Sequence, residues 1–187
     1  SDFTLKIDGN NVTSGVANEV SPGSHTASEV SQADYTASSW GGDCNADGTI
    51  TLALGDNKTC TITNDDTPAH LIVIKNVIND NGGNAVASDF TMTINDVTAS
   101  GGNSFPGAEN PGTDKTLTTV GSYSVTESGP AGYDDSYSSD CNGSIALGQT
   151  KTCTITNDDV APTIILIKVV ENDNGGNAGP NDFGISV

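Results

Sequence analysis

Three polar residues, Lys75, Glu127 and Asn157, fall where an alternating sequence should place apolar side chains. Successive side chains on a strand point to opposite faces, so parity assigns each residue to a face. Leu71, Val73, Lys75 and Val77 share one face; Tyr123, Val125 and Glu127 share another; Cys153, Ile155 and Asn157 share a third. In each set the apolar members mark the core side. Burying polar groups costs several kcal/mol, of the order of ~2–7 each, unless they satisfy one another. One chemistry uses such a set. A desolvated amine tends to lose its proton and becomes a nucleophile, while a buried carboxyl tends to keep its own. The carboxyl then polarises the carboxamide and shuttles protons as the amine attacks. Ammonia leaves, and an isopeptide bond joins the Lys strand to the Asn strand. The plainer reading is a Lys guarding a strand edge, an exposed Glu and an Asn in ordinary hydrogen bonds.

Other reactive residue types are sparse. The four cysteines form two pairs, Cys44/Cys60 and Cys141/Cys153, without the close CxxC spacing of a zinc knuckle. An even count, one pair per repeat, predicts disulfides and an oxidising compartment. Each bridge is expected to tie the penultimate strand to the last and to add roughly 3 kcal/mol. The two histidines, His25 and His70, stand apart, and no Ser/His/Asp set, metal cluster or phosphate loop is present. The chain is therefore expected not to be an enzyme and to need no cofactor. Acidic turns around Asn79-Asp80-Asn81 and Asn172-Asp173-Asn174, with the Asn-Asp-Asp strand ends, offer oxygen ligands suited to Ca²⁺. Turn chemistry explains Asn-Gly-Gly without a metal. Asn11, Asn57 and Asn142 begin N-x-S/T sequons, so covalent glycans are a candidate modification. Trp40, Tyr35, Tyr133 and Tyr137 could offer a sugar-stacking face, though packing roles are expected for so few aromatics.

The elements that must position these residues are repeated. Lys58-Thr-Cys-Thr-Ile-Thr-Asn-Asp-Asp66 returns as residues 151–159, Asn79-Asp-Asn-Gly-Gly-Asn-Ala85 as 172–178, and Leu71-Ile-Val-Ile-Lys75 as Ile164-Ile-Leu-Ile-Lys168. All three recur at a spacing of 93 (58 to 151, 79 to 172, 71 to 164). Asp-Phe before an alternating segment occurs at Phe3, Phe90 and Phe183. Short alternating strands between Gly, Asn, Asp and Pro signals predict an all-β fold built from sandwich repeats of about 93 residues. The expected units are 1–66, lacking its own first strand; 67–159, complete; and 160–187, the first strand and start of the second strand of a next repeat. The surplus strand belongs either to a longer array or to strand donation into a neighbouring copy. Its apolar faces should be paired in the native assembly.

Gly121-Ser-Tyr-Ser-Val-Thr-Glu-Ser-Gly-Pro-Ala-Gly-Tyr133 resembles the G-x-Y-x-V-T-E…P-x-G-Y signature of the SpaA/Cna B-type, prealbumin-like (inverse Ig-like) domains of bacterial surface proteins and pilins. The resemblance implies a prealbumin-like sandwich and an autocatalytic cross-link among a first-strand Lys, a motif Glu and a last-strand Asn. Lys75, Glu127 and Asn157 match those positions. Upstream the motif weakens to Gly23-Ser-His-Thr-Ala-Ser-Glu29, with Tyr35 keeping the Glu-to-Tyr spacing; Asn64 is present, and Lys168 is the lysine that would serve Glu29 and Asn64 of a neighbouring unit. A disulfide in each domain departs from the family's usual device.

Composition excludes further classes. With 24 acidic residues, 6 basic residues that are all Lys, and a formal charge of -18, neither nucleic acid nor an anionic membrane surface is an expected partner. No apolar run is long enough to span a membrane, and the first residues show no signal-peptide pattern, so an export signal is expected elsewhere. The expectation is a structural repeat of an extracellular, cell-surface fibre, stalk or pilus-like filament, whose partners are copies of itself. The alternative is an adhesive module that binds carbohydrate or depends on Ca²⁺.

Overall fold

Turn chemistry starts the fold. Asp8 and Gly9 both adopt positive φ (51° and 82°), which suits the two-residue loop joining β1 (Leu5–Ile7) to β2 (Asn10–Val12). The computed structural model describes residues 3–186; Ser1, Asp2 and Val187 lie outside it. β3 (Gly23–Glu29), β4 (Tyr35–Ala37), β5 (Gly41–Gly42), β6 (Thr49–Leu52), β7 (Cys60–Thr61) and β8 (Asn64–Asp66) follow. They form one sheet ordered β2-β1-β3-β6 and two short pairs, β4-β8 and β5-β7.

The second set begins with β9 (Ala69–Ile78), β10 (Thr91–Asn95), β11 (Ser104–Pro106) and β12 (Thr113–Leu117). It is completed by β13 (Gly121–Ser128), β14 (Tyr133–Tyr137), β15 (Asn142–Ile145) and β16 (Thr150–Asp159). One sheet runs β11-β10-β13-β15, the same plan as β2-β1-β3-β6, and the other runs β12-β9-β16-β14. β9 and β16 pair in parallel, with Lys75 opposite Ile155 and Val77 opposite Asn157; the remaining named pairings are antiparallel. The chain is thus all-β, as its alternation predicts.

Between these two sheets lies the core. Leu71, Val73, Phe90, Met92, Ile94, Val125, Ile145 and Ile155 are each no more than 4% exposed. Among the described residues, Cys44 is the sole buried hydrophobic outside the span from Ala69 to Ile155. Leu5, Ile7, Ile50, Leu52 and Ile62 alternate like their counterparts yet stay only part-buried. A sheet buries its apolar face only against a second layer, and here that layer is reduced to short pairs.

Two segments depart from regular strand structure within the single chain. Ile164–Lys168 forms no strand, and Ile165 and Ile167 are 85% and 83% exposed. A strand needs a partner for its backbone N–H and C=O groups, and among the described residues none lies beside this segment. The disulfides Cys44–Cys60 and Cys141–Cys153 both form. However, Cys141 sits in the 3₁₀ turn Ser139–Cys141, so its bridge fastens the entry to β15, not the strand itself, to β16.

Candidate functional site

Lys75 reaches the core because β9 alternates and its fourth inward position, after Ala69, Leu71 and Val73, is filled by an amine. The residue is 0% exposed. Its Nζ lies 2.9 Å from Glu127 Oε2, which β13 presents from the facing sheet, and donates a hydrogen bond to Asn157 Oδ1 on the adjacent β16. The Phe90 ring covers the same nitrogen, with its centroid 4.1 Å away, adding cation–π attraction. Apart from the Lys75 contact, no hydrogen bond reaches the buried Oε2 of Glu127. Side-chain exposure of the ion pair is 0% and 6%.

Burial pushes the Lys75 ammonium down from its ordinary range, against the opposing attraction of Glu127 and, more weakly, Asp135. That direction favours the free amine, the form with a lone pair to share. Two glycines let the surroundings close over it. A Cβ on Gly107 would come within 2.5 Å of the Ala87 carbonyl and 2.9 Å of Lys75 Cγ. A Cβ on Gly129 would lie 2.3 Å from the Phe90 ring.

The structure therefore brings Lys75, Glu127 and Asn157 together on three strands, as parity predicts. Glu29 and Asn64 also meet: Asn64 Nδ2 donates to Glu29 Oε2 at 2.9 Å. Lys168 is not with them; its Nζ sits 4.5 Å from the Phe183 ring centroid, repeating the Lys75–Phe90 arrangement. Asn11, Asn57 and Asn142 are all exposed.

Asp80, Asp158 and Asp159 bring one carboxylate oxygen each within 4.8 Å of one another. Asp159 is already engaged, accepting the backbone N–H groups of Asp80, Asn81 and Gly83. Burial works to raise its pKa, but these bonds outweigh it and hold the carboxyl below the usual range. Tyr133 secures the same turn: its hydroxyl donates to Asn79 Oδ1 at 2.6 Å and accepts from Ala85 N–H at 3.0 Å. Tyr133 meets the edge of Phe90, and Tyr35 meets Phe3, so both act in packing. Trp40 lies against Gly48. The Tyr137 hydroxyl is pushed up to about 12 by burial and by Asp135.

Sequence reasoning missed three participants: Phe90 as the lid on Lys75, Asp159 as a turn anchor, and Lys115, buried with its Nζ 5.1 Å from the Phe105 ring centroid. Asp159 shares parity with Asn157, which could have signalled it. The recurrence of Asp-Phe at Phe90 and Phe183 marks Phe90 without tying it to Lys75, and nothing in the spacing flags Lys115.

An all-β sandwich whose first and last strands run side by side, with a Lys–Glu–Asn set buried between the layers, defines the class. The profile of the SpaA-type prealbumin-like fold domain matches residues 1–62 and 66–164, and the chain belongs to that family. A comparison with curated proteins gave no match. Among solved structures it is similar to the major pilin protein T3.2 of Streptococcus pyogenes, at 17% identity and a TM-score of 0.35, covering 73% of this chain and 67% of that one. It is also similar to the major pilin protein T-13 of Streptococcus pyogenes, at 14% identity and a TM-score of 0.32, covering 84% and 88%. No helix among the described residues is long and apolar enough to cross a membrane.

Proposed function

We propose that this chain is a structural module of an extracellular bacterial fibre, stalk or pilus-like filament, non-enzymatic and locked internally by an amide between Lys75 and Asn157. Copies follow one another end to end, by tandem linkage or by strand donation. The observation that carries the reading is the buried Lys75–Glu127–Asn157 set, which faces the domain's own core and not a substrate cleft. Transfer of the Lys75 proton toward Glu127 frees the amine. Lys75 Nζ then attacks Asn157 Cγ, the Nζ–Cγ bond forms, the Cγ–Nδ2 bond breaks, and Nδ2 departs as ammonia with protons relayed by the Glu127 carboxyl. Two disulfides and a charge of -18 suit an oxidising, aqueous exterior.

Intact-mass measurement of the reduced, denatured chain tests the lock. The expected mass is short by one ammonia, and Lys75→Met restores the full value for its sequence. A reduced, denatured native chain that shows the full mass of its sequence would refute the cross-link. Negative-stain imaging of native material should show fibres; isolated particles alone would count against the fibre reading.

A further inference from the structure

We infer that Asp135 is a positioning residue for the internal amide: from β14 it holds the Asn157 carboxamide with Oδ1 toward Lys75 and Nδ2 turned away as the leaving group. This role rests on the reading of Lys75, Glu127 and Asn157 as a cross-linking set, and adds a fourth group that governs how fast the bond forms.

Strand register places Asp135. β14 and β16 run antiparallel, with Tyr133 opposite Asp159, Asp135 opposite Asn157 and Tyr137 opposite Ile155. Directly opposed residues share a face of the sheet, with Cβ atoms about 4.5–5.5 Å apart. Ile155 and Asn157 are buried and Tyr133 packs against the core, so Tyr133, Asp135 and Tyr137 occupy the inward parity of β14. Asp134 and Ser136 take the outward one. β14 is the edge of its sheet, which leaves Asp135 and Tyr137 in contact with water although they face the buried set.

A carboxamide can be turned two ways, and its neighbours choose between them. Lys75 Nζ donates to Asn157 Oδ1 from β9, on one side of β16, while β14 lies on the other side. The planar group then directs Nδ2, a donor, toward β14, where the opposed carboxylate is an acceptor. Turned over, Nδ2 would meet the Lys75 amine, donor against donor, and Oδ1 would meet the Asp135 carboxylate, acceptor against acceptor. Electrostatics place Asp135 at the same site. Its charge acts on the Lys75 ammonium, and with Glu127 it acts on Tyr137, whose hydroxyl hydrogen-bonds Asp135. That hydroxyl, pushed up to about 12, remains a donor at neutral pH and steadies the carboxylate beside Asn157.

The proton balance closes without Asp135 giving or keeping a proton. As the Nζ–Cγ bond forms and the Cγ–Nδ2 bond breaks, the three ammonium protons of Lys75 part company. One stays on the new amide nitrogen, one passes to Nδ2, and one remains on the Glu127 carboxyl. Nδ2 departs as ammonia on the β14 side, where water reaches Asp135. Asp135 thus acts only as the acceptor that orients the leaving nitrogen.

The rate of ammonia loss tests this. Newly synthesised full chain is sampled over time, and each reduced, denatured sample is measured by intact mass. Asp135→Ala should slow the loss by about ten- to hundredfold, the share of a hydrogen bond to a charged group. Asp135→Asn keeps an acceptor of the same reach and should recover most of the rate. Asp134→Ala removes an equal charge from the same strand on the outward parity, and should leave the rate unchanged. Both positions are exposed on an edge strand, so none of these variants endangers folding. Three results would each overturn the positioning role while leaving the Lys75–Asn157 lock standing: native speed in Asp135→Ala, no recovery in Asp135→Asn, or equal slowing in Asp134→Ala. A native chain that keeps its full mass would overturn the lock and the role together.

Discussion

Replacing Lys75 by Met removes the amine while keeping most of the buried stem, and its cost depends on what Lys75 does. If Lys75 is only half of an ion pair, Lys75→Met strands Glu127 as an unpaired buried carboxylate, at about 3–5 kcal/mol. Adding Glu127→Leu then removes the orphan charge. A buried pair replaced by apolar groups of similar volume is often neutral or stabilising, so the double variant should return close to the native value. A covalent lock behaves differently. Lys75 and Asn157 are 82 residues apart in sequence, and closing a loop of that length lowers the entropy of the unfolded chain by about 4.5 kcal/mol in the chain-entropy account. No substitution at Glu127 restores that term. The double variant should then remain about 4.5 kcal/mol below the native chain, a fall in melting temperature of roughly 18–36 °C for a domain of this size. Urea unfolding of native, single and double variants, with disulfides intact, gives the comparison. A double variant as stable as the native chain would refute the covalent reading.

Gly129→Ala drives a Cβ to 2.3 Å from Phe90, the ring over Lys75, and should cost about 1–3 kcal/mol in thermal unfolding through overpacking. Cys141→Ala with Cys153→Ala opens a bridge of sequence separation 12, with an expected loss of about 3 kcal/mol read from urea midpoints under oxidising conditions. Tyr133→Phe removes two hydrogen bonds on the Asn79–Ala85 turn, and hydrogen exchange at Ala85 should speed up while the β9–β16 ladder is little affected. His25 lies between two acceptors, Asp8 Oδ2 and Ser21 O, each at 2.7 Å, so it must be the imidazolium to donate to both. The hydrogen bond to Asp8 raises the His25 pKa and lowers that of Asp8. Stability from His25 is therefore full below about pH 6.5 and fades as pH rises through its raised pKa; that from Asp8 is present above about pH 3.9 and fades as pH falls through its lowered one. An NMR titration placing His25 at or below its ordinary pKa would contradict the geometry.

Much of this was legible because strand parity is a strict rule. The inward set Leu71, Val73, Lys75 and the sets ending in Glu127 and Asn157 needed only alternation, and all three polar groups meet in the core. The cysteine pairing followed from one pair per repeat. Legibility ended where contacts depend on three-dimensional approach. Phe90 and Lys75 are 15 positions apart with a turn between them, and no period predicts their stacking. Ile164–Lys168 illustrates the opposite limit: its composition says strand, but a strand is a property of two segments, and its partner is not alongside.

The parallel pairing of β9 with β16 also decides how the module answers tension. The polypeptide enters at Ala69, the start of one strand, and leaves at Asp159, the end of its neighbour. Pulling on those ends slides the two strands past each other, so the rungs from His70–Thr150 to Ile78–Asp158 are loaded together and not peeled in turn. A bond between Lys75 and Asn157 would shorten the path further, carrying the load across after a few residues. The 82-residue excursion between them, roughly 270–300 Å of extended chain, would never be drawn out. A string of such modules would lengthen only at its joints.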